Sequence, residues 1–166
     1  MQSTICIENL WEEEFMDYVT DKTANKGVSV SKHLIISVNG FHYAVKIPFI
    51  HKIVALSHIS FLPHVEPYIL GTTKADNEIY TVLDLRVLFG KKPEASQRPT
   101  VAVLLVYGTA KICAVVDGII SVIDLDTECA SYPWTRNHYI SGIIQTDNTV
   151  INILSVNKLV SFDCKL

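Results

Sequence analysis

The chain has 166 residues, of which 49% are apolar and 19% charged, and its formal net charge is −3. A negative net charge is not typical of a protein that binds nucleic acid. The chain is long enough to fold without a metal or a disulfide. We expect no membrane insertion, because the apolar run Val101–Tyr107 is too short to cross a bilayer. The first residues lack signal-peptide features, and four cysteines at no metal or redox spacing indicate a reducing, cytoplasmic compartment with no cofactor.

The first predicted element is a helix that begins after Asn9. Asn9 is a favoured N-cap, and Glu12 stands three residues later, where a capping-box side chain can reach back. Apolar side chains then recur at helical spacing: Trp11, Phe15, Tyr18 and Val19. This stripe either packs on the rest of the protein or docks a partner. Residues 20–31 are polar and aperiodic, so helix and linker together are predicted to span residues 1–31.

The pattern then changes to that of a β protein. Asn39 and Gly40 join two apolar stretches and supply the two positive-φ residues that a type I′ hairpin turn requires. Ten short strands are predicted, over residues 33–38, 41–47, 53–56, 69–73, 79–83, 101–107, 111–116, 119–123, 139–144 and 150–154. Many short strands with frequent turn signals and little helix indicate barrels or a sandwich, so the predicted fold class is all-β.

Two short helical turns are predicted between these strands. Pro48 is tolerated at the start of a helix. Asp84 is a favoured cap for a helix over residues 85–89, which Gly90 would close. The polar stretch 90–100 carries two prolines and marks a boundary between halves at about 32–90 and 100–160.

An internal repeat relates these two halves. Residues 68–88 align with residues 139–159 at a shift of 71 positions, and seven of the 21 residues are identical. Upstream, apolar positions within residues 45–53 align with those within residues 114–122 at a shift of 69. One unit is therefore used twice, and it consists of a strand, an Asp-Asn turn, a second strand and a short helix.

Residues shared by the two copies predict tight hairpins. The Asp-Asn pairs at 76–77 and 147–148 tolerate left-handed backbone conformations, so each pair can close a turn. Gly71 and Gly142, five residues before each aspartate, suit a β-bulge or a close backbone approach. We expect the two hairpins to superimpose. Four apolar residues are predicted to be buried in the barrel core: Ile47, Leu83, Val116 and Leu154.

Residues that could carry chemistry are few. The sequence contains no nucleophile elbow, zinc-protease motif or phosphate-binding loop. Three histidines flank one loop, as surface residues or as metal ligands: His51, His58 and His64. Residues 124–126 are interpreted as a solvated turn after a strand, with a cation site as the alternative. Residues 132–134 either cover a barrel end or bind a partner, and Arg86 either lies along a helix surface or faces a partner.

Several motifs occur in a specific order. Residues 34–47 read LIISVNGFHYAVKI, and residues 71–86 read GTTKADNEIYTVLDLR, ending in an Asp-Leu-Arg triplet. The second half adds VVDGI at 115–119 and YISG at 139–142. Together with the repeat, this series over residues 32–160 resembles the CheW family, the coupling proteins of bacterial chemotaxis.

The resemblance implies a CheW-like domain over residues 32–166, with two intertwined five-stranded, SH3-like β-barrel subdomains. It also implies a non-enzymatic adaptor that binds the cytoplasmic tip of chemoreceptors and the regulatory domain of a CheA-type histidine kinase. The residues that match the family's receptor-binding segment are Ile50, Gly71, Lys74, Asp76 and Asn77. The residues that contact the kinase are not identified by the resemblance.

The candidate receptor-binding segment departs from the family pattern. Where the family has Asn-Leu-Arg-Gly, residues 74–77 read KADN, so Asp76 replaces an arginine and reverses a charge beside the expected groove. Thr81 replaces a proline. A coupling protein of a pilus-motility or other specialised pathway would suit these changes and the acidic N-terminal helix. A small β-barrel ligand-binding protein or enzyme with an unrecognised pocket is the alternative.

Overall fold

The computed structural model describes residues 30–90, 92, 101–127, 130, 137–146 and 148–161. The predicted N-terminal helix, residues 132–134 and Asp147 lie outside the described residues. Most of the two predicted linkers, 20–31 and 90–100, lies outside them as well.

The described residues form ten strands, one 3-10 turn and two short helices. The strands are β1 (Val30–Val38), β2 (Phe41–Lys46), β3 (Ile50–Ala55), β4 (Ile69–Ala75), β5 (Glu78–Asp84), β6 (Val101–Tyr107), β7 (Ala110–Val116), β8 (Gly118–Asp126), β9 (Ile140–Gln145) and β10 (Val150–Leu154). The 3-10 turn is Ile47–Phe49, and the helices are α1 (Leu85–Leu88) and α2 (Val156–Val160). The predicted all-β fold class is confirmed.

Local sequence signals determine several of these boundaries. Asn39 and Gly40 have φ angles of 54° and 79°, as a type I′ turn between β1 and β2 requires. Pro48 lies in the first turn of the 3-10 segment. The Asp84 side chain caps α1 by accepting a hydrogen bond from the Arg86 backbone N–H at 3.0 Å. The predictions made for the turn, the proline and the cap are confirmed.

Three boundary predictions were wrong. Residues 124–126 do not form a turn, because β8 continues to Asp126 through pairing with the start of β1. For the same reason β1 begins at Val30, inside the predicted linker. The strand predicted over residues 53–56 starts at Ile50, since pairing with β6 extends over a polar stretch that has no apolar alternation.

The strands form two five-stranded sheets that each combine both halves of the chain. Sheet 1 has the order β8-β1-β2-β10-β9, and sheet 2 has the order β3-β6-β7-β5-β4. Each sheet is antiparallel except for one parallel pair, β2 with β10 in sheet 1 and β7 with β5 in sheet 2. Each half of the chain therefore contributes two strands to one sheet and three to the other, and the two subdomains are intertwined.

Sheet 1 and sheet 2 have the same topology, and the sequence repeat explains why. Adding five to each strand number of the first half converts it into its counterpart in the second half. The pairings agree residue by residue: Ile69 is opposite Leu83, and 71 positions later Ile140 is opposite Leu154. Both hairpins have a register shift at the repeated glycine, Gly71 or Gly142. The predicted bulge is therefore confirmed in both copies.

One large apolar core lies between the sheets, and each sheet also encloses a smaller cluster. The four residues predicted to be buried, Ile47, Leu83, Val116 and Leu154, are all buried, and all belong to the shared core. Their position between the sheets means that neither half of the chain can complete this core alone.

Candidate functional site

The candidate receptor-binding residues lie at the two edges of sheet 2. Ile50 begins β3 at one edge, Gly71 and Lys74 lie on β4 at the other, and Asp76 with Asn77 forms the turn from β4 to β5. Asp76 and Asn77 have φ angles of 49° and 63°. These left-handed values show the tight hairpin that the Asp-Asn pair predicts.

The Asp76 carboxylate connects the hairpin turn to the opposite edge strand. Its Oδ2 lies 3.3 Å from His51 Nε2, and its Oδ1 lies 3.6 Å from Lys52 Nζ, both on β3. The His51 ring also stacks on Tyr80, with ring centroids 6.4 Å apart. The two edges are therefore tethered, and the negative charge of Asp76 is offset within the protein. Exposed pairs of this kind are worth up to about 1 kcal/mol each.

Gly71 lies under the β3–β4 loop, next to this surface. It is buried with a φ of 139°, and a Cβ atom there would lie 2.1 Å from the Ser60 carbonyl oxygen. Ser60 and Thr72 exchange two backbone hydrogen bonds of 2.8 and 2.9 Å, which hold the β3–β4 loop against β4. The sequence prediction of a close backbone approach is confirmed, and it places Gly71 beneath the loop instead of at the surface.

The five predicted residues thus differ in accessibility. Lys74, Asp76 and Asn77 are exposed, Ile50 is half-buried and packs against the shared core, and Gly71 is buried. The structure brings Ile50 near the turn only through its neighbours His51 and Lys52. The exposed hairpin residues can therefore touch a partner directly. Gly71 is buried, and it positions the loop beside them.

Two exposed apolar residues were not predicted for this site. Ile79 is 67% exposed and stands opposite Lys74 in the β4–β5 hairpin. Tyr107, at the end of β6, is 42% exposed and packs on Phe49 with ring centroids 5.5 Å apart. The turn at Asp76 sets the Lys74–Ile79 pairing, so the sequence contained the signal for Ile79. Tyr107 could not be predicted for this site, because it comes near the hairpin only through the pairing of β6 with β7 and of β7 with β5, which are distant in the chain.

Arg86 is part of an internal network that neither sequence alternative described. Its side chain is 11% exposed and donates two hydrogen bonds to the Asp84 carboxylate, at 2.9 and 2.7 Å. The Asn39 side chain donates to the Arg86 carbonyl oxygen at 2.8 Å, and the Asn39 backbone N–H donates to Asp117 at 2.6 Å. This network joins α1 to the turns of both halves.

The titratable groups form no metal-binding cluster within the described ranges, since three or more His, Cys, Asp or Glu side chains do not come together there. Burial raises the pKa of the Cys113 thiol to about 12, so this thiol stays protonated. Across the same ranges, the helices are too short or too polar to cross a bilayer.

The fold defines the class of this protein, which is an all-β protein with two intertwined five-stranded sheets. The two sheets share one core, and an exposed hairpin presents charged and apolar side chains to solvent. The CheW-like domain family model matches residues 32–163. The chain belongs to the CheW-like domain family.

Individual relatives agree with this assignment. The chain is 23% identical over 133 residues to the chemotaxis protein CheW of Klebsiella aerogenes, covering 77% of this chain and 80% of that protein. It is 24% identical over 131 residues to the chemotaxis protein CheW of Bacillus subtilis, covering 76% and 84%. The crystal structure of the scaffolding protein TtCheW from Thermoanaerobacter tengcongensis superimposes with a TM-score of 0.67 at 22% identity, covering 75% of this chain and 88% of TtCheW. This structural similarity shows the fold.

Proposed function

We propose that this protein is a cytoplasmic, non-enzymatic scaffold that couples chemoreceptors to a CheA-type histidine kinase in chemotaxis or a related signalling pathway. The observation that carries the proposal is the family match over residues 32–163. The relatives are two chemotaxis proteins and a scaffolding protein, which supports the same role.

The β4–β5 hairpin is the proposed receptor contact, with Lys74, Asp76 and Asn77 as its exposed residues and Ile50 and Gly71 as its support. Its position suits a docking surface, because the hairpin lies at a sheet edge and its polar side chains are exposed to solvent. The local pairing of Asp76 with His51 and Lys52 explains how an acid can occupy the position where the family has an arginine. The regulatory domain of the kinase is the second proposed partner.

Binding measurements with Asp76→Arg test this role. The substitution removes the ion pairs that hold the hairpin turn against His51 and Lys52 and sets like charges together, which displaces the turn, so we expect binding to the receptor tips of the same organism to weaken. Binding to an ordinary chemoreceptor tip, whose cognate scaffold carries arginine, should strengthen. Surface plasmon resonance at two salt concentrations measures both affinities, and binding of the kinase regulatory domain is measured in parallel.

Asp124→Arg is a matched control, since Asp124 is an exposed aspartate of sheet 1 that pairs with Lys32 at 3.8 Å. It should leave receptor binding unchanged. If Asp76→Arg also leaves both receptor affinities unchanged, the hairpin is not the receptor contact. If the wild-type protein binds neither receptor tips nor the kinase domain, the coupling role itself is wrong.

A further inference from the structure

One row of side chains crosses four adjacent strands of sheet 2 beside the Asp76 turn. Lys74 on β4 is opposite Ile79 on β5, and Tyr107 on β6 is opposite Ala110 on β7. The parallel register of β5 and β7 pairs Thr81 with Ile112, and two residues earlier it places Ile79 beside Ala110. Since neighbouring strands are about 4.8 Å apart, the row is about 14 Å long. We call it the sheet 2 row: Lys74, Ile79, Ala110 and Tyr107.

The sheet 2 row continues the face that forms the shared core. Leu83 on β5, Ile112 on β7 and Leu105 on β6 are buried in that core. Side chains an even number of residues apart on a strand point to the same face, so Ile79, beyond Thr81, and Tyr107 lie on the face of sheet 2 that forms this core. These two side chains are therefore exposed apolar surface at the end of a rigid, packed sheet.

The charges around the sheet 2 row are asymmetric. Asp76 is paired with His51 and Lys52, and the carboxylate of Glu78 lies 2.5 Å from Lys111 Nζ. Among the described residues, Lys74 is in no ion pair. Both acids of the hairpin are thus neutralised within the protein, whereas the exposed cation next to Ile79 has its charge available.

Resting on the receptor role proposed above, we propose that the sheet 2 row binds a receptor segment that carries a carboxylate beside apolar side chains. The carboxylate lies against Lys74, and the apolar side chains cover Ile79 and Tyr107. A basic segment would meet Lys74 with like charge, which disfavours it. Charge complementarity therefore selects the segment, and the apolar end of the sheet contributes the buried area.

The corresponding row of sheet 1 provides a control for the binding experiment, because its geometry is the same and its side chains differ. The repeat places Gln145, Val150, Phe41 and Val38 at the positions of Lys74, Ile79, Ala110 and Tyr107. Phe41 and Val150 are exposed, so this end of sheet 1 is also apolar. It has an amide where sheet 2 has a cation. Lys74→Gln gives sheet 2 the side chain of sheet 1, and Gln145→Lys makes the reverse change.

The experiment uses receptor-tip fragments from the same organism, together with versions whose acidic residues are changed to the matching amides. Lys74→Gln should weaken binding to the native fragment by about tenfold, and Gln145→Lys should change it by less than about twofold. The amide version should bind the wild-type protein about tenfold more weakly and show no further loss with Lys74→Gln. Ile79→Ser should weaken binding to both versions. Thermal melting confirms that each variant is folded.

The contrary results separate this inference from the coupling role. If the wild-type protein binds the tips and Lys74→Gln and Ile79→Ser bind equally well, the row is not the contact, although the coupling role stands. If Lys74→Gln lowers affinity only for the kinase regulatory domain, the receptor is not the occupant. If neither tips nor kinase domain bind the wild-type protein, the coupling role fails first.

Discussion

Sheet 1 and sheet 2 are two versions of one structure that differ in what their surfaces and interiors contain. Their strand order and pairing registers agree throughout the described residues. At the hairpin, Lys74 in sheet 2 corresponds to Gln145 in sheet 1. In the interior, Ala102 of β6 corresponds to His33 of β1, and both are fully buried.

This comparison shows which positions specify the fold. The repeated glycine, the apolar character of the shared core and the Asp-Asn pair agree between the two halves of the sequence, because packing and backbone geometry restrict them. The side chains at the open ends differ, because solvent accepts many residue types. A doubled fold can thus keep one architecture while its two ends acquire different partners.

The largest expected effect tests whether the two sheets contribute equally to the shared core. Leu83→Ala and Leu154→Ala remove buried side chains at corresponding positions, so each should lower the free energy of unfolding by about 2–5 kcal/mol. Urea denaturation measures both, with the exposed Ile120→Ala as a control. A loss for only one of the two would show that the sheets do not contribute equally to the shared core.

Two glycine substitutions separate steric contact from backbone strain. Gly71→Val places a Cβ atom against the Ser60 backbone and should cost about 3 kcal/mol or more. Gly40 has a φ of 79° and open space around its Cβ position, so Gly40→Val should cost about 1 kcal/mol or more from backbone conformation alone. Equal midpoints for the two variants in urea would contradict the contact between Gly71 and the β3–β4 loop.

The buried histidine of sheet 1 predicts a pH dependence that the alanine of sheet 2 cannot have. Burial lowers the pKa of His33 from its usual 6.5, the Ser31 carbonyl raises it, Lys46 on β2 lowers it and Asp124 on β8 raises it. His33 Nδ1 lies 2.8 Å from the Ser31 carbonyl oxygen, and its buried Nε2 has no hydrogen-bond partner in the part of the chain that the structure describes.

Because the folded protein binds this proton less readily than the unfolded chain, the contribution of His33 to stability is complete above pH 6.5. It is lost as the pH falls from 6.5 towards the folded pKa. His33→Leu should flatten the dependence of unfolding free energy on pH in this range, by a slope of at most about 1.4 kcal/mol per pH unit. Phe61→Leu, an exposed control without a titratable group, should leave the slope unchanged, and an unchanged slope for His33→Leu would contradict the assignment.

The smallest expected effect concerns the tether between Asp76 and β3. Lys52→Ala removes one exposed ion pair and should reduce the unfolding free energy by no more than about 1 kcal/mol, with a smaller loss at high salt. Lys32→Ala, which removes the pair with Asp124 in sheet 1, is the matched control. A loss well above about 1 kcal/mol for Lys52→Ala alone would mean that this ion pair stabilises the fold more than an exposed pair usually does.

Much of the fold and part of the site followed from sequence. The Asn39–Gly40 turn, the Asp84 cap, the repeat and the buried residue set depend on local backbone preference and apolar pattern, which adjacent residues encode. The hairpin at Asp76 was predicted for the same reason. Gly71 was assigned to the contact surface, but the loop that covers it comes from a bridge to Ser60 that no local signal encodes.

Local residues determined the ten strands, their turns and the duplication, because strand alternation and positive-φ turns are short-range properties. The tertiary structure decided which strands share a sheet, why β8 extends through Asp126, and how Asp76 meets His51 and Lys52. It also placed Tyr107 in one row with Ile79 and brought Arg86 and Asp84 into a network with Asp117. Each of these contacts joins residues distant in the chain, so it arises only when the exchanged strands of both halves pack around their shared core.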